Sequence, residues 1–256
     1  MNQESVLYAK EDKTAIITLN RPDRLNAINQ DLLKQLLHHL ETAGADSEIA
    51  VVVLTGAGKA FCAGEDLKET SAGKTLAQWG KEIDALQEYQ RVVLNLGKPL
   101  IAAVRGYALG GGLEFALSCD IRIASEDAKF GFPETGVGLT ITSGGTKLIS
   151  QLVGLGKAKE LIFTGDFIGA GEALGIGLVN RVVASEDLMA ETLEMAKKIG
   201  ERSPLALKLS RIAVDQGLHA GFEQILELEA AHLLACVASG NQESFVKNRL
   251  RKMGKK

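Results

Sequence analysis

Leu100-Ile101-Ala102-Ala103-Val104-Arg105-Gly106-Tyr107-Ala108-Leu109-Gly110-Gly111-Gly112-Leu113-Glu114-Phe115-Ala116-Leu117 is the stretch on which the fold turns. Its first five residues are uninterrupted apolar, the mark of a strand covered on both faces, and its triple glycine leads into a short apolar helix around Phe115 to Leu117. A second run of the same kind, Ile49 to Leu54, ends at Thr55-Gly56-Ala57-Gly58. Between the two, Lys68 to Leu96 is first polar and then helical in pattern through Ile83, Leu86 and Val93, which predicts a lid or pocket wall. Strands separated by helix-length crossovers pair in parallel, so the fold class is α/β.

Outward from this stretch, Val6 to Leu19 predicts a hairpin around the polar turn Lys10 to Lys13. Asn29 is placed to cap a helix whose apolar face is Leu32, Leu33, Leu36, Leu37 and Leu40. After the short strand Asp120 to Ala124 the pattern turns helical over Thr142 to Val153, Gly156 to Thr164 and Ala170 to Leu174, with one more strand over Leu178 to Val183. Ser185 and Ser203-Pro204 look like helix starts, and helices are expected over 204–217, 221–238 and 241–251. The helical end has no low-complexity linker before it, so it is expected to pack on the core or to serve in oligomerisation.

Composition removes several chemistries. The chain has 256 residues, 46% hydrophobic and 24% charged, enough for one large or two small domains. A formal net charge of -3 leaves no basic surface to follow a nucleic-acid backbone, so no nucleic-acid partner is expected. Cys62, Cys119 and Cys236 form no CxxC pair, and His38, His39, His219 and His232 lack metal-ligand spacing, so neither a disulfide framework nor a bound metal is expected. No apolar run reaches the roughly 18 residues of a membrane helix, and Met1 to Asp12 has no signal-like pattern, so the expectation is a cytoplasmic protein without a membrane partner. Carboxylates and backbone amides remain as the leading reactive groups.

The nucleotide motifs fail. Gly73-Lys74-Thr75 ends like a P-loop, but Lys68 stands where the first glycine is needed, and neither a GxGxxG between strand and helix nor a GxSxG is present. Two clusters instead sit just beyond strand ends, Phe61-Cys62-Ala63-Gly64-Glu65-Asp66-Leu67 and Gly110 to Glu114. Ligands of α/β folds bind there, and two amides converging on one oxygen make an oxyanion hole. From glycine alone, close helix packing or a left-handed turn is the stronger explanation. Glu114 lies in a first helical turn among apolar neighbours, so burial would raise its pKa toward neutrality; the plainer role is interaction with the helix dipole. Glu134, in Phe130-Gly131-Phe132-Pro133-Glu134-Thr135-Gly136, is a second acid in apolar surroundings, or else a solvated loop residue.

Arg21-Pro22 through Asn26-Ala27, Phe61 to Leu67, Ala102 to Glu114, Cys119-Asp120 and Phe130 to Glu134 together closely resemble the enoyl-CoA hydratase/isomerase (crotonase) superfamily, in order and in spacing. The likeness runs through nearly the whole chain. It implies a crotonase-like core of repeated ββα turns over residues 1–195, carrying an acyl-CoA site, and a helical C-terminal region over 196–256 used in trimerisation, commonly as a hexamer of two trimers. It implies an acyl-CoA thioester as substrate, with CoA part of that substrate and no separate cofactor. The oxyanion hole would be the N–H groups of Glu65 and Gly111; only the amide is needed from Glu65, whose side chain is unusual at that position.

Glu114 and Glu134 match the two acids of the water-adding members: Glu114 to orient and deprotonate the water that attacks the β-carbon, Glu134 to exchange a proton at the α-carbon. The expected activity is therefore an enoyl-CoA hydratase, with a Δ3,Δ2-enoyl-CoA isomerase or another lyase acting through a thioester enolate as the alternative. For CoA, the likeness points to Arg24 and to backbone around Ala63, Asp66 and Leu67, with Lys68 adding charge; Lys247 is one register off a family lysine, and a solvated helix face is its default. Gly138-Leu139-Thr140-Ile141-Thr142-Ser143-Gly144-Gly145-Thr146 departs from the family, Ile141 and Thr142 standing where a Pro-Gly pair is usual. The hydroxyl of Thr142 or Ser143 would either replace lost polar contacts or cap a helix. Relatives that bind RNA use a lysine-rich early helix; the matching one, Asn29 to Ala43, holds only Lys34.

Overall fold

Asp12, in left-handed conformation, turns the chain between two antiparallel strands, β1 (Val6–Glu11) and β2 (Thr14–Leu19). The computed structural model describes residues 4–66 and 73–253. Asn29 caps helix α1 (Gln30–Ala45) by accepting from Leu32 N–H at 2.9 Å, and the expected apolar face buries Leu32, Leu33, Leu36 and Leu40. Then follow β3 (Val51–Gly56) and β4 (Ala60–Cys62), helix α2 (Leu76–Asn95), β5 (Leu100–Val104), β6 (Tyr107–Leu109), helix α3 (Gly111–Ser118), β7 (Ile121–Ser125) and β8 (Lys129–Gly131).

Each of these strand pairs places one strand in each of two sheets. The larger sheet has the order β1-β2-β3-β5-β7-β10, where β10 is Arg181–Val183, and is parallel after the opening hairpin. The smaller has the order β4-β6-β8-β9, where β9 is Ile168–Gly169; β4, β6 and β8 run parallel and β9 antiparallel. This is the expected α/β architecture of repeated ββα turns. One core joins the α1 face, α2, α3 and the inner sides of both sheets, with Phe61, Tyr89, Phe115, Phe130 and Phe132 fully enclosed. A second cluster lies across the larger sheet, where Leu188 and Ala196 meet Val51, Val53, Ile101, Ala103 and Ile123. β3 and β5 are therefore covered on both faces, as their unbroken apolar runs require.

Boundaries move where local signals compete. The last strand is only Arg181–Val183, because Leu178 and Val179 are buried before the ladder begins. Helix α4 (Gly145–Val153) starts three residues later than the pattern predicts, with Gly144 at its N-cap, so neither Thr142 nor Ser143 caps it. Ser185 starts no helix either: α7 (Leu188–Gly200), after α5 (Leu155–Thr164) and α6 (Ala170–Gly175), has Asp187 at its N-cap and runs unbroken through 195 and 196. Ser203 does cap α8 (Pro204–Gly217), accepting from Ala206 N–H, and α9 (Phe222–Ala238) and α10 (Gln242–Met253) complete the chain. Arg211 of α8 donates to Asp120 Oδ1 at 2.7 Å, tying the helical end to the β5–β7 region.

Candidate active site

β4, β6 and β8 are neighbours in the smaller sheet, and the groups singled out in the sequence lie within three residues of their ends: Glu65 after Cys62, Gly111 after Leu109, Glu134 after Gly131. Parallel pairing brings these ends together. A cavity of about 260 Å³ opens beside them, lined by Glu65, Gly111, Glu114 and Glu134, with Trp79, Ile83 and Leu86 of α2 forming its apolar side. The polar-then-helical stretch before Leu96 thus supplies a pocket wall.

The two amides are free by construction. Glu65 sits in a bridge with Ile28 whose hydrogen bonds use the Gly64 carbonyl (2.8 Å) and the Asp66 N–H (3.1 Å), so the Glu65 N–H faces away from Ile28. The Gly111 N–H is the first of α3 and has no intrahelical acceptor. Glycine is required around them. Gly110 has φ +51°, and a Cβ there would stand 2.7 Å from Glu134 Oε1; a Cβ on Gly112 would stand 2.2 Å from the Cys62 carbonyl, because α3 packs directly on β4. The triple glycine therefore serves both close packing and the site.

The acids differ in their partners. Glu114 is 2% exposed, and its Oε1 accepts from Ser143 N–H at 2.6 Å and Gly145 N–H at 3.1 Å. Burial raises its pKa, and the N–H groups of Ser143, Gly145 and Thr142 oppose the rise by stabilising the anion. Glu134 sits in a 3-10 turn, Pro133–Val137, and its Oε2 is buried without a partner. Desolvation, with the charge of Glu114, pushes its pKa up to about 7. The backbone donors thus favour the anion of Glu114, whereas Glu134, without a partner on Oε2, keeps its proton up to about neutral pH.

The departure at 141–142 is where Glu114 finds its donors. Following Ile141, the amides of Ser143 and Gly145 both donate to Oε1 and the Thr142 amide also favours the anion, while Ser143 Oγ is buried without a partner. Thr142 lines the cavity beside Leu139 and Thr140.

The CoA-end residues are less gathered. Arg24 is exposed at the end of a 3-10 turn, Pro22–Arg24, and the next residue, Leu25, accepts from Ala63 N–H at 3.0 Å, which sets Arg24 beside the Ala63 segment. The Asp66 carboxylate takes a 3.1 Å ion pair from Arg21. Leu67 and Lys68 lie outside the described residues. Lys247 pairs with Glu243 on an exposed helix face at 3.6 Å, in keeping with its default reading. Two contributions were not singled out from the sequence. Asn26, fully buried with φ +56°, bonds the carbonyls of Ala57 (2.9 Å) and Ala60 (2.7 Å) and so locks the loop that carries Ile28. Glu82 enters the cavity from α2. Among the described residues there is no group of three or more His, Cys, Asp or Glu placed to hold a metal, and no helix is long and apolar enough to cross a membrane.

Two backbone amides without an acceptor in the fold and two buried acids with different hydrogen-bond partners therefore border one cavity, an arrangement suited to stabilising an oxyanion and moving protons beside it. Residues 9–249 match the enoyl-CoA hydratase/isomerase family, and the chain belongs to that family. It is 45% identical to a short-chain-enoyl-CoA hydratase of Clostridium acetobutylicum, over 95% of this chain and 93% of the relative, and 39% identical to a crotonyl-CoA hydratase of Syntrophomonas wolfei, over 95% and 94%. The crystal structure of an enoyl-CoA hydratase from Bacillus anthracis superposes with a TM-score of 0.93 at 35% identity, covering 97% of this chain and 96% of that one. Within the family, the chain is an enzyme of the hydro-lyase type, an enoyl-CoA hydratase.

Proposed function

We propose that the chain adds water to the 2,3 double bond of a 2-enoyl-CoA through Glu114 and Glu134, with the Glu65 and Gly111 N–H groups on the thioester oxygen. The observation that carries this reading is the pair of acids in one cavity, one whose Oε1 takes two backbone N–H donors that favour its anion and one with an unpartnered oxygen and a pKa pushed up to about 7. Glu114 takes a proton from water as its oxygen bonds to the β-carbon. The π electrons move toward the thioester, where the two amides stabilise the oxyanion; one such donor is worth about 3 kcal/mol. Glu134 delivers its proton to the α-carbon, giving a 3-hydroxyacyl-CoA. Proton return between the acids, or exchange with solvent, restores the starting state. Acids and amides complete the reaction, so no cofactor is required beyond the CoA of the substrate.

An isomerase would shift a proton using Glu134 alone and would leave the fixed Glu114 without work. Crotonyl-CoA tests the reading: loss of its enoyl absorbance on adding protein is expected, whereas an inert response to 2-enoyl-CoAs with turnover of 3-enoyl-CoAs would establish isomerisation.

For the CoA end, Arg24 with Ala63, Asp66, Leu67 and Lys68 are the proposed contacts. The chain is proposed to form a trimer, or a hexamer of two trimers, in the cytoplasm. Val214, Phe222, Leu233 and Leu234, exposed on α8 and α9, support the assembly, and three free cysteines suit a reducing compartment.

A further inference from the structure

Besides Glu114 and Glu134, two further acids line the cavity, Glu65 and Glu82. The Glu65 side chain lies over Gly111, its Oε1 3.6 Å from where a Cβ there would stand, and its Oε2 is buried without a donor; Glu82 lines the same cavity, close enough for the two carboxyls to share one proton. Burial and the neighbouring Glu82 carboxylate raise the Glu65 pKa, which places that proton on Glu65. Glu82 in turn takes an ion pair from Lys74 at 2.5 Å, and Lys74 lies 4.7 Å from the centre of the Trp79 ring. The Lys74 and Glu82 side chains are 13% and 10% exposed, so the pair is enclosed. Between α1 and α2 lies a second, open cavity of about 590 Å³, with Ile28, Leu33, Leu37 and Ala85 on its apolar side and Lys34, His38, Glu41 and Lys81 toward its mouth. Glu82 borders both cavities.

We infer that the Glu65–Glu82 pair, fixed by Lys74, is the end wall of the acyl pocket and limits the enzyme to short 2-enoyl chains by closing the way into the cavity between α1 and α2. An apolar slot rewards each added methylene by roughly fourfold in affinity. Here the chain meets a buried ion pair instead. Displacing it would strand a charge without its partner, so binding falls with length rather than rising. The inference rests on the hydratase reading, because it assigns the acyl chain to this cavity.

The test is the ratio of kcat/KM for 2-octenoyl-CoA to that for crotonyl-CoA, measured on the wild type, Glu82→Ala and Glu82→Gln, each checked for native circular dichroism. The wild type is expected to favour crotonyl-CoA, Glu82→Ala to raise the ratio by about tenfold or more, and Glu82→Gln, which keeps the volume of the wall but removes the ion pair, to raise it by less than Glu82→Ala does. If Glu82→Ala does not fold, Glu65→Ala reads the same ratio, since it shortens the wall and leaves the 65 amide in place. An unchanged ratio in a folded alanine variant that still hydrates crotonyl-CoA, or a wild type that hydrates both substrates equally, overturns the wall and leaves the hydratase reading intact. A wild type inert to every 2-enoyl-CoA overturns both.

Discussion

The backbone N–H of Ser143 donates to Glu114 Oε1 at 2.6 Å, joining residues 29 positions apart. Burial raises the Glu114 pKa, and such donors oppose that rise, as the proposed role of a base requires. Glu134 has no partner on Oε2, and in the proposed reaction this asymmetry separates the base from the proton donor.

Replacing either acid by its amide removes one proton transfer and keeps the shape. Glu114→Gln and Glu134→Gln are each expected to lower kcat for hydration by about 100-fold or more, with affinity for a saturated acyl-CoA nearly unchanged. Steady-state kinetics with calorimetric binding checks this, and full activity in either variant would remove that residue from the reaction.

The pH profile follows from the same pair. Hydration needs Glu114 ionised and Glu134 protonated; dehydration needs the reverse. Both are states with one proton on the pair, so kcat/KM in the two directions shares one bell-shaped profile. A carboxyl raised to about 7 keeps its proton below that pH and loses it above, so the alkaline limb is expected near pH 7. Flat activity from pH 6 to 9 would contradict the assignment of Glu134.

Gly110→Ala forces a Cβ into the left-handed region and against Glu134. A loss of about 1–3 kcal/mol in stability is expected, with kcat falling by about 100-fold as the carboxyl is displaced. Gly156→Ala is the control: its Cβ meets nothing within 4 Å, and an added methyl inside α5 should leave both quantities near wild type. Thermal melts and initial rates on the two variants decide the matter.

Light scattering should return three or six times the 27.2 kDa chain mass. Phe222→Glu with Leu234→Glu, at positions 79% and 68% exposed in the single chain, should shift the protein toward that mass. A wild type already monomeric would leave the apolar faces of α8 and α9 unexplained.

Much of this was legible because it is written locally. The apolar runs of β3 and β5, the Asn29 and Ser203 caps, the triple glycine and both acids carry their signals within a few residues. What escaped depends on contacts across the chain. Asn26 is an ordinary turn residue until Ala57 and Ala60 close over it, and Glu82 is one polar residue of a helix until Glu65 and Lys74 meet it from another segment. The hydroxyls of Thr142 and Ser143 read as caps because Ser and Thr often are; Gly144 takes that place, and the backbone of the segment, rather than its hydroxyls, holds Glu114.

Glu65, Gly111 and Glu134 follow three successive parallel strands of one sheet, each carried on its own strand end. The scaffold therefore treats the reaction as three separately editable positions. In the proposed reaction an exchange after β8 alters the proton donor and one after β4 alters what the acyl chain meets, while the ladder that sets the register of the three strands lies before both positions.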